Sequence, residues 1–281
     1  MVARRTSGAT LMTTRPPLVS LVLAVLLVLA PAVAGAQSPL PEPTEGPVAP
    51  ASPAPPLGAV EDEIDRVAEI DRVVEIMAGM SLRQKVGQLF MSRVYGYRAV
   101  DPAPRAQRSN EEYLGAADAR ELFERFPVGA IVYFEYAGNL QQPEQVARLS
   151  NGIQRAARDA GTVPVLISTD QEHGVIRRLD APATRLPGAM AIGATRDPAL
   201  AREAAAVTGR ELRAVGIHQN LAPVADVNVD PRNPVIGIRS FGSRPGLVAE
   251  MTAATVAGLE ADAGVSATAK HFPGHGDTAT D

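Results

Sequence analysis

Val165-Leu166-Ile167-Ser168-Thr169-Asp170 is the stretch that decides the fold. A short run of apolar and β-branched residues ends in a carboxylate, which reads as a strand buried on both faces with a polar C-terminal end. Four further runs have the same character: Leu89–Val94, Ala130–Phe134, Ile217–Leu221 and Val265–Ala269. Segments with helical spacing of apolar residues lie between them, near 111–125, 143–160, 197–215 and 245–262. Strands that alternate with helices predict an α/β fold with a parallel sheet. Chemically capable residues sit just past the strand ends: Asp170, then Asn220 and Asp226 in NLAPVAD, then Lys270 and His271 after SATA. In a (β/α)8 TIM barrel that edge binds substrate. A doubly wound sheet would carry a Gly-rich phosphate turn after an early strand, and the chain has neither G-x-G-x-x-G nor a P-loop motif. The barrel is therefore the expected fold.

Working outward, Glu61–Met80 has apolar residues at helical spacing, and Ser81 is placed as the N-cap of a short second helix. Upstream, Arg4, Arg5 and Arg15 precede the apolar run Leu18–Ala30, and Ala34-Gly35-Ala36 follows it. That order of basic, apolar and small residues predicts a secretory signal peptide over 1–36, hence an exported protein that is secreted or associated with the cell envelope. The apolar run is too short to span a bilayer, which takes about 20 residues. No membrane span is expected after cleavage. Residues 37–58 hold eight prolines, so 37–60 is expected to be an extended linker and 61–281 the barrel.

Composition narrows the function. The chain has 281 residues, 46% of them hydrophobic, enough for a real core. Its formal charge is −4, and removal of 1–36 takes away three arginines and no acids. An acidic chain without a basic patch is not expected to bind nucleic acid. It has no cysteine, which excludes disulfides, thiolate metal sites and thiol nucleophiles.

Three constellations carry the chemistry. Residues 270–281, KHFPGHGDTATD, gather a lysine, two histidines and two aspartates in a loop after a strand. Pro273, Gly274 and Gly276 prevent a helix, so His271 and His275 are not a ligand pair on a helix face, and no metal is expected. Hydroxyl binding with acid–base work suits this set better than a merely solvated loop. In the second constellation Asp170 ends a strand and Arg178 lies eight residues on. These two suit a sugar grip or a structural ion pair equally. In the third, Arg239 lies in a loop bounded by Gly237 and Gly242, while Asp226 and Asn228 are read as holding their loop by backbone hydrogen bonds.

In order and spacing these blocks resemble the catalytic barrel of family 3 glycoside hydrolases, and KHFPGHGDT resembles the β-N-acetylhexosaminidase branch in particular. The similarity runs from about Ser81 to Asp281. It implies that Asp170, Arg178, Arg239, Lys270 and His271 bind the sugar in the cleavage subsite. It also implies retaining hydrolysis of terminal β-linked N-acetylhexosamine from peptidoglycan- or chitin-derived oligosaccharides, without a cofactor. Asp281 matches the aspartate of the branch's Asp–His acid–base dyad, the one catalytic residue expected within the chain. The partnering histidine and the aspartate nucleophile would follow residue 281. A histidine acid–base leaves both water and phosphate open as acceptors. Two positions depart from the family pattern: His173, where EHG replaces EGG, and His218, where asparagine is frequent; both are read as tolerated variation. Two other readings stay open, a β-glucosidase or β-xylosidase of the same family and a non-catalytic carbohydrate-binding protein.

Eight β/α units of about 40 residues would need about 320 residues. Residues 81–281 supply about five, so the barrel is expected to be truncated. The chain alone is then expected to lack glycosidase activity and to aggregate or stay partly unfolded.

Overall fold

The structure, a computed structural model, describes residues 57–280. The expected signal peptide, nearly all of the linker, and Asp281 lie outside the described residues. In chain order the elements are α1 (Leu57–Ala78), α2 (Leu82–Gly87), β1 (Met91–Ser92), α3 (Pro104–Leu114), α4 (Ala119–Arg125), β2 (Ala130–Val132) and α5 (Pro143–Asp159). After these come β3 (Leu166–Thr169), α6 (Ala189–Thr195), α7 (Pro198–Ala214), β4 (Gln219–Asn220), a 3-10 turn at Gly237–Arg239, α8 (Pro245–Glu260) and β5 (Ser266–Ala267).

All five strands are parallel and pair in chain order, β1-β2-β3-β4-β5. Crossovers between parallel strands are right-handed. Strands added always on the same side therefore put every connecting helix on one face, as in a barrel wall. A doubly wound sheet would reverse direction once. The helix-facing core joins Ile131 and Tyr133 of the β2 segment, Ile153 of α5, Ile167, Leu212 and Ile217, none more than 0% exposed.

Local chemistry explains the helix boundaries. Ser81 caps α2 through a reciprocal capping box with Gln84, as the sequence predicts. Pro104, Pro143, Pro198 and Pro245 each open a helix, where a missing N–H costs nothing. The helix expected near 111–125 is two helices. Gly115 ends α3 in the left-handed region (φ 66°), and Asp118 caps α4 by accepting from the N–H groups of Arg120 and Glu121. The linker boundary also moves: α1 begins at Leu57 rather than after residue 60. The proline run stops at Pro56, and Leu57-Gly58-Ala59-Val60 holds no proline to break a helix.

The strands lie where expected but are only two to four residues long. Pro164 precedes β3 and Pro223 follows β4, and neither has an N–H to extend the ladder. Helix α1 forms as its periodicity predicts, yet Ile70, Val73 and Val74 stay more than half exposed. Helical spacing makes an apolar stripe; burial needs a partner surface. No helix among the described residues is long and apolar enough to cross a membrane.

Candidate active site

The polar cluster forms at the C-terminal ends of β3 to β5, the edge identified from the sequence. Asp170 directly follows β3. Lys270 is held beside Val224 by an isolated parallel bridge and by its N–H donating to the Pro223 carbonyl at 3.0 Å. Arg239 is the last residue of the 3-10 turn.

Glu172 is the hub of this cluster. Arg239 donates to it twice, from Nε to Oε2 at 2.8 Å and from Nη2 to Oε1 at 2.9 Å. Lys270 Nζ bridges Glu172 Oε1 and Asp170 Oδ1, each at 2.7 Å. The Glu172 side chain is only 6% exposed, and those of Arg239, Lys270 and Asp170 are 15–17% exposed. Burial is the largest single influence on the Glu172 carboxyl and raises its pKa. The hydrogen bonds and charges of Arg239 and Lys270 together outweigh it and hold the group below its ordinary value. The Arg239 guanidinium is raised in turn, chiefly by its hydrogen bonds to Glu172.

Beside this chain of ion pairs, His271 Nδ1 meets Asp226 Oδ2 at 2.6 Å, and the other oxygen of Asp226 accepts the His275 N–H at 2.9 Å. The Asp226 side chain is fully buried. Desolvation again pushes its pKa up, but the bonds from His271 and His275 prevail and hold it low. The Asp226 carboxylate thus holds the loop after β5 rather than its own loop, where the sequence reading put it, and it orients the imidazole of His271. Asn228 does not hold the loop through its side chain, because its buried Oδ1 has no partner among the described residues. Among the described residues its backbone N–H is engaged, by the Gly242 carbonyl at 3.0 Å. The cleft beside these groups, lined by Asp226, Lys270, His271, Phe272 and Asp277, has a volume of about 510 Å³.

Arg178 does not pair with Asp170. Its Nη1 lies 3.8 Å from Glu135 Oε2 on the neighbouring strand end, and its buried Nε has no partner among the described residues. The structural Asp170–Arg178 ion pair is thereby excluded; the backbone of Arg178 is fixed instead, by its N–H donating to Gln171 Oε1 at 2.6 Å. Asp281 lies outside the described residues. Of the expected sugar-binding set, Asp170, Arg239 and Lys270 converge through Glu172, which the sequence reading omitted. One signal for it was charge balance, since Arg178, Arg239 and Lys270 were assigned against a single Asp170.

The two departures from the family pattern separate here. His218 lies just before β4, at the opposite end of the strand from the site. His173 adjoins the hub, with φ 65°, in the left-handed region that favours glycine, which is the residue the family usually carries there. Its ring is buried, with Nε2 2.7 Å from Thr208 Oγ1, and burial lowers its pKa.

Asp226, His271 and His275 bring one ligand atom each within 4.8 Å of one another. Both Asp226 oxygens and the Nδ1 atoms of both histidines are already hydrogen-bonded. These bonds leave the Nε2 atom of each histidine without a partner among the described residues, so the hydrogen-bonded pair by itself neither calls for an ion nor blocks one.

Fold and cluster together define a class: a parallel β/α-barrel domain with a buried ionic network and a His–Asp pair at its strand ends. The chain belongs to glycoside hydrolase family 3, for residues 81–281 match the Glycosyl hydrolase family 3 N terminal domain. It is 42% identical over 166 residues to beta-hexosaminidase A of Pseudoalteromonas piscicida, covering 57% of this chain and 27% of that protein. Among solved structures it is similar to a glycoside hydrolase family 3 beta-N-acetylglucosaminidase from Paenibacillus sp. str. FPU-7, with 47% identity and a TM-score of 0.64 over 72% of this chain and 35% of that one. It is also similar to NagZ from Neisseria gonorrhoeae in complex with N-trifluoroacetyl-D-glucosamine, with 28% identity and a TM-score of 0.54, covering 66% and 50% of the two chains. The chain thus spans between about a quarter and a half of these relatives' lengths. The family and the barrel architecture agree with the sequence reading.

Proposed function

We propose that this chain supplies the glycone-binding part of an exported β-N-acetylhexosaminidase. The enzyme releases terminal β-linked N-acetylhexosamine from peptidoglycan- or chitin-derived oligosaccharides with retention of configuration. The observation that carries this reading is the hydrogen-bonded chain Asp170–Lys270–Glu172–Arg239 beside the His271–Asp226 pair, at the substrate edge of a family 3 barrel. A pyranose offers adjacent hydroxyls that both donate and accept. Asp170 accepts hydrogen bonds from hydroxyls, Lys270 and Arg239 donate hydrogen bonds to hydroxyl oxygens, and Glu172 keeps the two cations in position. The names of the relatives support N-acetylglucosamine as glycone. Export rests on the basic, apolar and small-residue pattern of residues 1–36.

Two measurements test the reading. Calorimetric titration with N-acetylglucosamine, glucose and xylose should show preference for the first, and Asp170→Ala should abolish binding. Where nitrophenyl glycosides are turned over, the N-acetylglucosaminide should be preferred to the glucoside and the xyloside. Preference for glucose in both assays would point to a β-glucosidase instead.

A further inference from the structure

His173 stands where the family usually carries glycine, and resemblance alone makes that a tolerated variation. Its surroundings give it a task. It directly follows the hub carboxylate and opens a tight hairpin. The Ile176 N–H donates to the His173 carbonyl at 3.2 Å, and the Glu172 N–H donates to the Ile176 carbonyl at 3.0 Å. Gly174 packs this hairpin against Gly188, so closely that a Cβ on Gly174 would stand 2.8 Å from the Gly188 Cα. The His173 side chain ties it to α7. A non-glycine residue at φ 65° is strained, and such strain persists only where the surroundings fix it.

The contact with α7 fixes the tautomer. Thr208 Oγ1 donates its one proton to the Ala204 carbonyl at 2.9 Å, one turn back in the helix. Its oxygen is then the acceptor in the 2.7 Å contact with His173 Nε2, so Nε2 carries the ring proton. Nδ1 is left a bare acceptor, buried and without a partner among the described residues, on a residue only 8% exposed. His173 and Thr208 line a cavity of about 50 Å³, and so do Glu172 and Arg239 of the hub. The tie to α7 and the ionic network therefore meet at one cavity.

That cavity offers an imidazolium no free counter-ion. Helices α6, α7 and α8 line it with no ionisable side chain. The charged groups around His173 are Glu172 and Arg177 from its own loop, Glu211 of α7 and Arg239 of the 3-10 turn. Glu172 is committed to Arg239 and Lys270, and Arg177 to Asp180. Glu211 accepts the N–H and the hydroxyl of Thr184 at 2.9 and 2.7 Å. Burial, the largest influence, lowers the His173 pKa below 6.5; Glu211 opposes it and Arg177 adds to it. The neutral contact is therefore complete above pH 6.5 and is lost as pH falls through the lowered value, because a charged ring without a partner is driven out of the cavity.

We propose that His173 is a positioning residue for the sugar grip: its neutral imidazole latches the Glu172 hairpin to α7 and so sets the carboxylate that holds Arg239 and Lys270. The inference rests on the proposed glycosidase reading and deepens it, because it makes the grip conditional on a buried group that touches no sugar. Glycine at this position could adopt the same backbone but could not make the tie to Thr208. The histidine gives this chain an acid-sensitive grip that a glycine would not.

Calorimetric titration with N-acetylglucosamine from about pH 5 to about pH 7.5 tests this on wild type, Thr208→Val, Thr208→Ser and His173→Asn. Thr208→Val removes the acceptor at nearly constant shape and should weaken binding about five- to tenfold at neutral pH, whereas Thr208→Ser keeps the hydroxyl and should stay within about twofold. Asparagine tolerates the left-handed region and does not titrate, so His173→Asn should bind more weakly at neutral pH and lose less affinity in acid than wild type. His271 is the same in all four proteins, so any acid effect of its own is common to them. Long-range proton–nitrogen spectra should show His173 as the Nε2–H tautomer, titrating below 6.5. Circular dichroism verifies that each variant folds; should Thr208→Val not fold, the His173→Asn profile and the wild-type spectrum decide. Unchanged affinity in Thr208→Val, an equal loss in Thr208→Ser, or the same acid profile in wild type and His173→Asn would overturn the latch alone. A proton on Nδ1 instead of Nε2 at neutral pH would do the same. Binding of no sugar by wild type at any of these pH values would refute the glycosidase reading and the latch's role in it together.

Discussion

Replacing Glu172 by glutamine removes one charge and leaves the shape. In the folded chain Glu172 accepts from Arg239 at 2.8 and 2.9 Å and from Lys270 at 2.7 Å. Hydrogen bonds to charged groups contribute about 1.5–3 kcal/mol each, and removing one partner of a buried pair costs about 3–5 kcal/mol. Some compensation remains: Lys270 keeps Asp170 at 2.7 Å, and Arg239 keeps the Val235 carbonyl at 3.3 Å. The expected loss is therefore at the low end, about 3 kcal/mol. With a urea m-value of about 1–3 kcal/mol/M, the midpoint should fall by at least about 1 M. Urea titration followed by circular dichroism at pH 7 reads this directly. Acid supplies an internal control. The Glu172 carboxyl is held below its unfolded value of 4.5, so its stabilisation is complete above that pH and is lost as pH falls through the folded value. Wild type and variant should converge there. In a double mutant with Arg239→Met, the glutamine should cost less than it does alone, because fewer buried charges are left unpaired. A midpoint shift of less than about 0.2 M at pH 7, or a gap that persists unchanged in acid, would refute the hub.

His173→Gly should release left-handed strain of about 1 kcal/mol, lose the bond to Thr208, and be mildly destabilising at pH 7. Because burial holds the His173 pKa below 6.5, wild type should lose stability as pH drops through that value, and thermal unfolding of the variant should show a flatter dependence. Gly193→Ala would place a Cβ 1.9 Å from the Phe241 carbonyl oxygen, forcing α6 off the segment that carries Arg239. It should cost about 1–3 kcal/mol and weaken sugar binding, and both are measurable on one preparation. Asn139→Ala strands one N–H and two carbonyls, should cost about 1–3 kcal/mol, and should speed amide hydrogen exchange at Phe134.

Five strand–helix units and their order were legible in the sequence because each unit is local. Prolines at the first turns of α3, α5, α7 and α8 and the Ser81–Gln84 box act within a few residues. The edge that carries the site was legible for the same reason, since Asp170 and Lys270 each end an apolar run. The break at Gly115 and Asp118 was local too; both residue types are known helix punctuation, and the run of helical spacing across them masked it.

Which side chains meet was not legible. Glu172 lies 67 residues from Arg239, Asp170 lies 100 from Lys270, and Asp226 lies 45 from His271. Spacing in sequence carries no information about such pairs, because strand register and loop path set them. Of the two readings of Asp170 and Arg178, the structural ion pair does not form: Arg178 Nη1 lies 3.8 Å from Glu135 of the neighbouring strand end, and a shared grip on a sugar stays open. Composition and periodicity determined that these charges would gather at one edge of a parallel sheet, since local propensity and burial suffice for that. The folded chain alone chose Glu172 as the hub and set Phe134 level with Asp170, because both depend on contacts that only the pairing of the strands creates.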